Sequence, residues 1–140
     1  MTQKITLNSQ HKYEKVFDAQ SVAAFAELSQ DDNPIHINEA YAKESIFGRN
    51  VVHGVFLVSM FSKIFGTIFP GNGGIYLGQT AKFTKPAFVG DKVTAVVTLT
   101  AFDEEKKRGI FTCECFNPQG ELLVTGEAKI LFPKHFSLNA

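Results

Sequence analysis

The chain has 140 residues and a mass of 15.5 kDa, the size of one domain (1–140), and such a chain buries about 68–70% of its unfolded surface without metal or disulfide staples. Hydrophobic residues make up 44% and charged residues 20%, which excludes disorder and collagen-like repeats. Fourteen basic side chains balance fourteen acidic ones, so nucleic acid and anionic membrane, which select a basic surplus, are excluded as main partners.

The opening Met1-Thr2-Gln3-Lys4 lacks the apolar stretch of a signal peptide, and a cytoplasmic protein is the expectation. A strand is weakly signalled around Lys12 to Phe17. Asp18 then reads as the N-cap of a helix over Ala19 to Ser29, with Val22, Phe25, Ala26 and Leu28 as its apolar residues. Pro34 ends that run, because a residue before proline is pushed out of the α region. Asn38 caps a second short helix through Tyr41 and Lys43.

A third helix is predicted from about Val52 to Thr67. It is apolar on nearly every side, so it must be buried. Its polar residues Ser59, Ser62, Lys63 and Gly66 fall at i, i+3, i+4 and i+7 and form one stripe. With His53 and Lys63 inside it, the stretch from Val51 to Phe69 is a poor membrane span. Pro70-Gly71-Asn72-Gly73-Gly74 breaks the chain; it leads into a strand and lacks the Lys-Ser/Thr ending of a phosphate loop.

From Ile75 the period drops to two. Ile75, Leu77, Ala81 and Phe83 alternate with polar residues, and Val93, Ala95, Val97, Leu99 and Ala101 do the same after Val89-Gly90-Asp91. Asp103 to Arg108 reads as a hairpin tip. Phe111, Cys113 and Cys115 share one face, a spacing that is neither a C-x-x-C redox motif nor half of a zinc site. After the turn at Asn117-Pro118-Gln119-Gly120, a last strand carries Leu122, Val124, Gly126, Ala128, Ile130 and Phe132. Four antiparallel strands with one apolar face each, and one helix needing cover, are solved most economically by an α+β hot-dog fold: a curved antiparallel sheet wrapped around a central buried helix.

Two segments carry chemistry. Asp31 and His36 are five residues apart, about 140° on a continuous helix, so they meet only if Pro34 bends the chain. A carboxylate beside an imidazole is suited to moving protons near neutral pH; read structurally, the same residues are an Asx-turn at a helix boundary. In Val51-Val52-His53-Gly54-Val55, Gly54 opens the buried helix, where unpaired N–H groups and the missing Cβ suit an oxyanion site or, equally, close helix–sheet packing. His53 reads as a packed histidine. Ser59 and Lys63 read as solvation or packing, not as a nucleophile and its base.

Asp31-Asp32-Asn33-Pro34-Ile35-His36 matches D-x-N-P-x-H, and the chain resembles the MaoC-like, (R)-specific enoyl-CoA hydratases, or hydratase 2 family. Ala24-Phe25-Ala26-Glu27-Leu28-Ser29 before the signature, Val51-Val52-His53-Gly54, Pro70-Gly71, Val89-Gly90-Asp91 and Val124-Thr125-Gly126-Glu127-Ala128 extend the resemblance over roughly residues 15 to 132. Gln30 stands where the family often has Gly. The resemblance implies reversible syn addition of water to a trans-2-enoyl-CoA, with Asp31 and His36 catalytic, the Gly54 N–H on the thioester oxygen, and Ser62 and Asn33 lining the site. It implies no metal or redox cofactor, coenzyme A being part of the substrate, and a homodimer that covers the free sheet edge. Some of Lys43, Arg49, Lys82 and Lys85 are expected to meet the phosphates of coenzyme A. The rival reading is an acyl-CoA thioesterase of the same fold.

Overall fold

The period-two run that begins at Lys92 produces the three longest strands of the protein, and the rest of the chain is arranged about them. The computed structural model describes residues 2–138. In chain order these form β1 (Gln3–Ile5), β2 (Gln10–Val16), α1 (Ala19–Ser29), α2 (Pro34–Ile37), α3 (Glu39–Lys43), α4 (Gly54–Thr67), β3 (Ile75–Gln79), β4 (Lys82–Phe83), β5 (Lys92–Asp103), β6 (Arg108–Phe116), β7 (Leu122–Leu131) and β8 (Phe136–Leu138). The main sheet is antiparallel in the order β2-β5-β6-β7-β3, with β4 also on β7. It packs its apolar face on α4, in the expected hot-dog arrangement, and its edges do not close. A parallel pair, β1 with β8, was not foreseen from the pattern; three-residue strands carry too few alternations to be seen.

Burial holds α4 in place. Leu57, Met60, Phe61, Ile64 and Phe65 are all buried against the sheet, and each large apolar side chain so removed from water contributes about 1.5–3 kcal/mol. Two expectations for this helix need correction. It starts at Gly54 rather than Val52, because Val52 N–H bonds the Ala87 carbonyl at 2.8 Å and Val51 bridges Phe88, which holds both valines extended. Nor is it buried all round: Val55 is 60% exposed, and Ser59, Ser62, Lys63 and Gly66 lie on the open side.

The strand expected over Ile75 to Phe83 is also not one apolar-faced strand. A bulge between Tyr76 and Gly78 shifts its register, and the pairing with β7 lapses between β3 and β4. At that lapse Gly126 of β7 lies so close to Thr80 that a Cβ there would fall 1.9 Å from the Thr80 carbonyl oxygen. Ile75, Tyr76, Leu77 and Phe83 are all exposed along this edge.

The N-terminal half places the conspicuous loop. The Asp18 carboxylate caps α1 by accepting from Ser21 N–H at 2.8 Å, as its position predicts. The helix closes on Gln30, which adopts φ 64°, ψ 14°, the left-handed conformation that glycine enters freely and other residues enter at a cost of about 1 kcal/mol. A Gln30→Gly substitution is therefore expected to stabilise the protein by about 0.5–1 kcal/mol, a rise of roughly 2–4 °C in Tm. Thermal unfolding of the two proteins checks this; a lower midpoint would show that the glutamine side chain contributes more than its backbone costs.

Candidate active site

With α1 ended at Gln30, residues Asp31 to Asn33 run free and Pro34 starts a new short helix. Asn33 is its N-cap, its side-chain oxygen accepting from Ile35 N–H at 3.2 Å, and Pro34 takes the first helical position. The bend brings Asp31 and His36 together, His36 Nε2 lying 4.0 Å from Asp31 Oδ2. The imidazole is 12% exposed and the carboxylate 50%, so one member is held by protein and the other is open to water.

Hydrogen bonds assign the tautomers. His36 Nδ1 lies 2.7 Å from the Val51 carbonyl oxygen. A carbonyl only accepts, so Nδ1 carries the hydrogen and Nε2, facing Asp31, keeps a lone pair when the ring is neutral. His53 Nε2 lies 2.9 Å from the Asp31 carbonyl oxygen and is likewise the donor. The His53 ring stacks on His36 with centroids 3.7 Å apart and is met edge-on by Phe25 at 4.8 Å. His53 is 1% exposed. Burial lowers its affinity for a proton, the Asp31 carbonyl opposes that shift, and the neighbouring His36 adds to it. Asp31, His36 and His53 also form a possible metal-ligating group, with atoms within 4.8 Å of one another. The donor chemistry fits a metal poorly, since a ligating His53 Nε2 would have to give up its hydrogen and the bond to Asp31.

Gly54 begins α4 beside this pair. No side chain caps the helix, so its first N–H groups remain available. A Cβ on Gly54 would lie 2.7 Å from Phe83 Cε1; both readings of this glycine, close packing and open N–H, therefore describe the same place. Asp31, His36, Gly54 and Phe83 line one largely apolar cleft of about 570 Å³. On its other side His36 borders a second cleft of about 570 Å³, with Lys43, Arg49 and Asn50.

The expected site residues thus separate. Asp31, His36 and Gly54 come together. Asn33 does not line the cleft: its side chain is used as a cap, and it reaches the dyad only through its backbone N–H, 3.4 Å from Asp31 Oδ1. Ser62 lies eight residues beyond Gly54, about 12 Å along the helix, in a small cleft with Gly74 and Tyr76; within the chain it does not meet Asp31. Among the expected cations, Lys43 and Arg49 border His36, whereas Lys85 lines the apolar cleft and is ion-paired with Glu121. Sequence reasoning passed over Asn50, whose side-chain amide donates to the Ile35 and Asn38 carbonyls at 2.8 and 3.2 Å. An amide next to Val51-Val52-His53-Gly54 was the available signal.

A profile of the MaoC like domain matches residues 2–113. The chain belongs to the MaoC-like family. It is 45% identical over 131 residues to the (R)-specific enoyl-CoA hydratase of Aeromonas caviae, covering 94% of this chain and 98% of that one. The solved structure of the A. caviae (R)-hydratase superposes with a TM-score of 0.91 over 94% of this chain and 100% of that one. The (R)-specific enoyl-CoA hydratase of Rhodospirillum rubrum is 39% identical over 85% of this chain and 82% of its own. The unliganded R-hydratase of Pseudomonas aeruginosa, 32% identical, superposes with a TM-score of 0.88 over 91% of this chain and 82% of that one.

Proposed function

We propose that this MaoC-like domain is an (R)-specific enoyl-CoA hydratase that adds water reversibly to a trans-2-enoyl-CoA, giving the (R)-3-hydroxyacyl-CoA. The observation that carries the chemistry is the 4.0 Å gap between the Asp31 carboxylate and His36 Nε2. Both atoms are acceptors, and a water about 2.8 Å from each spans them at roughly a right angle, near its own bond angle. Such a water donates one hydrogen to each partner and turns a lone pair outward. Asp31 takes its proton as the oxygen attacks the β-carbon, while His36 orients it. Negative charge develops on the thioester oxygen, which the Gly54 N–H at the start of α4 stabilises. The held proton then passes to the α-carbon on the same face. One hydroxyl and one hydrogen are added, and the dyad returns to its starting charge.

The same cleft arrangement gives the substrate a direction. The apolar cleft by Phe83 suits the enoyl end, and Lys43 and Arg49 beyond His36 suit the phosphates of coenzyme A. The cytoplasm suits the two buried, unpaired cysteines, Cys113 and Cys115. No described helix is long and apolar enough to cross a membrane. We further infer a homodimer. The exposed apolar edge at Ile75, Tyr76 and Leu77 adjoins the open stripe of α4, since Ser62, Gly66, Ile75 and Tyr76 border one cleft. A second copy covers a free edge and an apolar patch at once. Sedimentation at micromolar concentration should give at least twice the chain mass; a monomer mass refutes this assembly.

Following enoyl absorbance and thiol release together tests the reaction itself. A hydratase consumes the enoyl group of crotonyl-CoA without freeing thiol, whereas a thioesterase frees thiol. Asp31→Asn keeps the shape but cannot take the proton, so turnover should fall about 10²–10⁴-fold with the fold intact. Gly54→Ala should lower kcat/KM at least tenfold through crowding at the helix start. Its helix propensity gain of about 1 kcal/mol offsets the displacement of the half-exposed Phe83 ring, so Tm should hold or rise. Unchanged activity with a lower Tm would assign Gly54 to packing alone.

A further inference from the structure

The one polar side chain fully buried among the described residues belongs to the start of α4, beside the dyad but outside its proton chemistry. His53 has Nε2 committed to the Asp31 carbonyl, while its Nδ1 is buried with no hydrogen-bond partner. An unsatisfied buried polar atom costs about 1–3 kcal/mol. For packing between Phe25 and His36 alone, a phenylalanine ring would fill the same space without that cost. The imidazole therefore requires a reason other than stability.

We propose that His53 is a positioning residue for the hydration reaction, setting the Asp31 carboxylate and the His36 imidazole relative to each other through one hydrogen bond and one ring stack. This rests on the hydratase reading of the site. The bond from Nε2 ties the Asp31 backbone to the first residue before α4, and so to the Gly54 N–H one residue later. The stack holds His36 on its face while the Val51 carbonyl holds it at the edge, at 3.7 Å between centroids and 2.7 Å from Nδ1 respectively. Both rotations of the His36 ring are thereby blocked. Three groups that must meet around one thioester are referred to a single side chain.

Neutrality is part of the arrangement. The groups facing His53 are Phe25 from α1, His36 from α2, and the Asp31 backbone and carboxylate between them, a carboxylate oxygen lying within 4.8 Å of a His53 ring nitrogen. A proton on His53 would repel any proton held by His36 across the stack. Burial lowers the affinity of His53 for that proton and His36 lowers it further, against the pull of the Asp31 carbonyl and carboxylate.

Two substitutions separate the hydrogen bond from the ring. His53→Phe keeps volume and stacking but loses the donor; His53→Gln keeps an N–H at similar reach but loses the ring. Misplacement by about 1 Å can cost on the order of 10²-fold in rate. For His53→Phe we expect kcat on crotonyl-CoA 10–100-fold lower, KM within about threefold, and an equal or higher Tm, with His53→Gln recovering much of kcat. A His53→Phe enzyme within twofold of wild-type kcat overturns the proposal, as does a loss of kcat that merely follows a fall in Tm. Imidazole ¹⁵N NMR of the unmodified protein adds a reading that needs no variant. A neutral Nε2–H tautomer for His53 at pH 7 is expected, and an Nδ1–H tautomer or an imidazolium overturns it. Wild-type hydration of crotonyl-CoA is scored separately, so failure of the hydratase reading is distinguishable from failure of the role of His53.

Discussion

A backbone that leaves a helix to bring two side chains together must find new partners for its own carbonyls. Between α1 and α3 this requirement shapes everything nearby. The Asp31 carbonyl is taken by His53, the Asn33 carbonyl by His36 N–H, the Pro34 carbonyl by Asn38 N–H, and the Ile35 carbonyl by Val51 N–H and the Asn50 amide. Most of these donors come from one stretch, residues 50–53. That stretch is in turn anchored to the sheet side of the protein through Ala87 and Phe88. Buried or half-buried carbonyls left without donors would cost free energy comparable to lost hydrogen bonds. The bend between Asp31 and His36 and the extended entry to α4 therefore stand or fall together.

This explains which parts could be read in advance. The Asp18 cap, the short helix after Asn38, the hairpin at Asp103 to Arg108 and the strands β5 to β7 follow from local rules of period and capping, and they appear where those rules put them. The spacing of Asp31 and His36 left their meeting open, with Pro34 disfavouring the continuous helix that would keep them apart, and the family motif decided it. The start of α4 depended on a distant partner. The extended conformation of Val52 is imposed by Ala87, thirty-five residues away, against a helical pattern. Asn33 shares a motif with Asp31 and His36, and an asparagine before proline is also a good cap, which is the use its side chain has here. Ser62 shares a stripe with the helix face, but no periodicity tells how far along the axis a cleft extends.

The left-handed Gln30 shows the same coupling from the other direction. A helix that simply continued through Asp31 would satisfy its carbonyls internally and would separate the dyad. Ending α1 in a conformation unfavourable for glutamine turns the chain toward α2. Local strain is tolerated there because the donors of residues 50–53 hold the turned segment from the opposite side. The family resemblance singles out this segment, whereas the network of carbonyl partners accounts for its shape.

One hydrogen atom in the sheet has a wide reach. Gly126 is where the outer strand loses its pairing and restarts, and the restart carries Phe83 onto the first residue of α4. Any side chain at position 126 would drive into the Thr80 carbonyl, and the displaced segment leads directly to Phe83 and Thr84 in the wall of the apolar cleft. The cleft is thus fitted through the pairing of β7 with its edge strand as well as from the loops in front. Residues whose replacement reshapes a cleft need not be found among those that line it, and variation along β7 is a place to look for how related proteins come to differ.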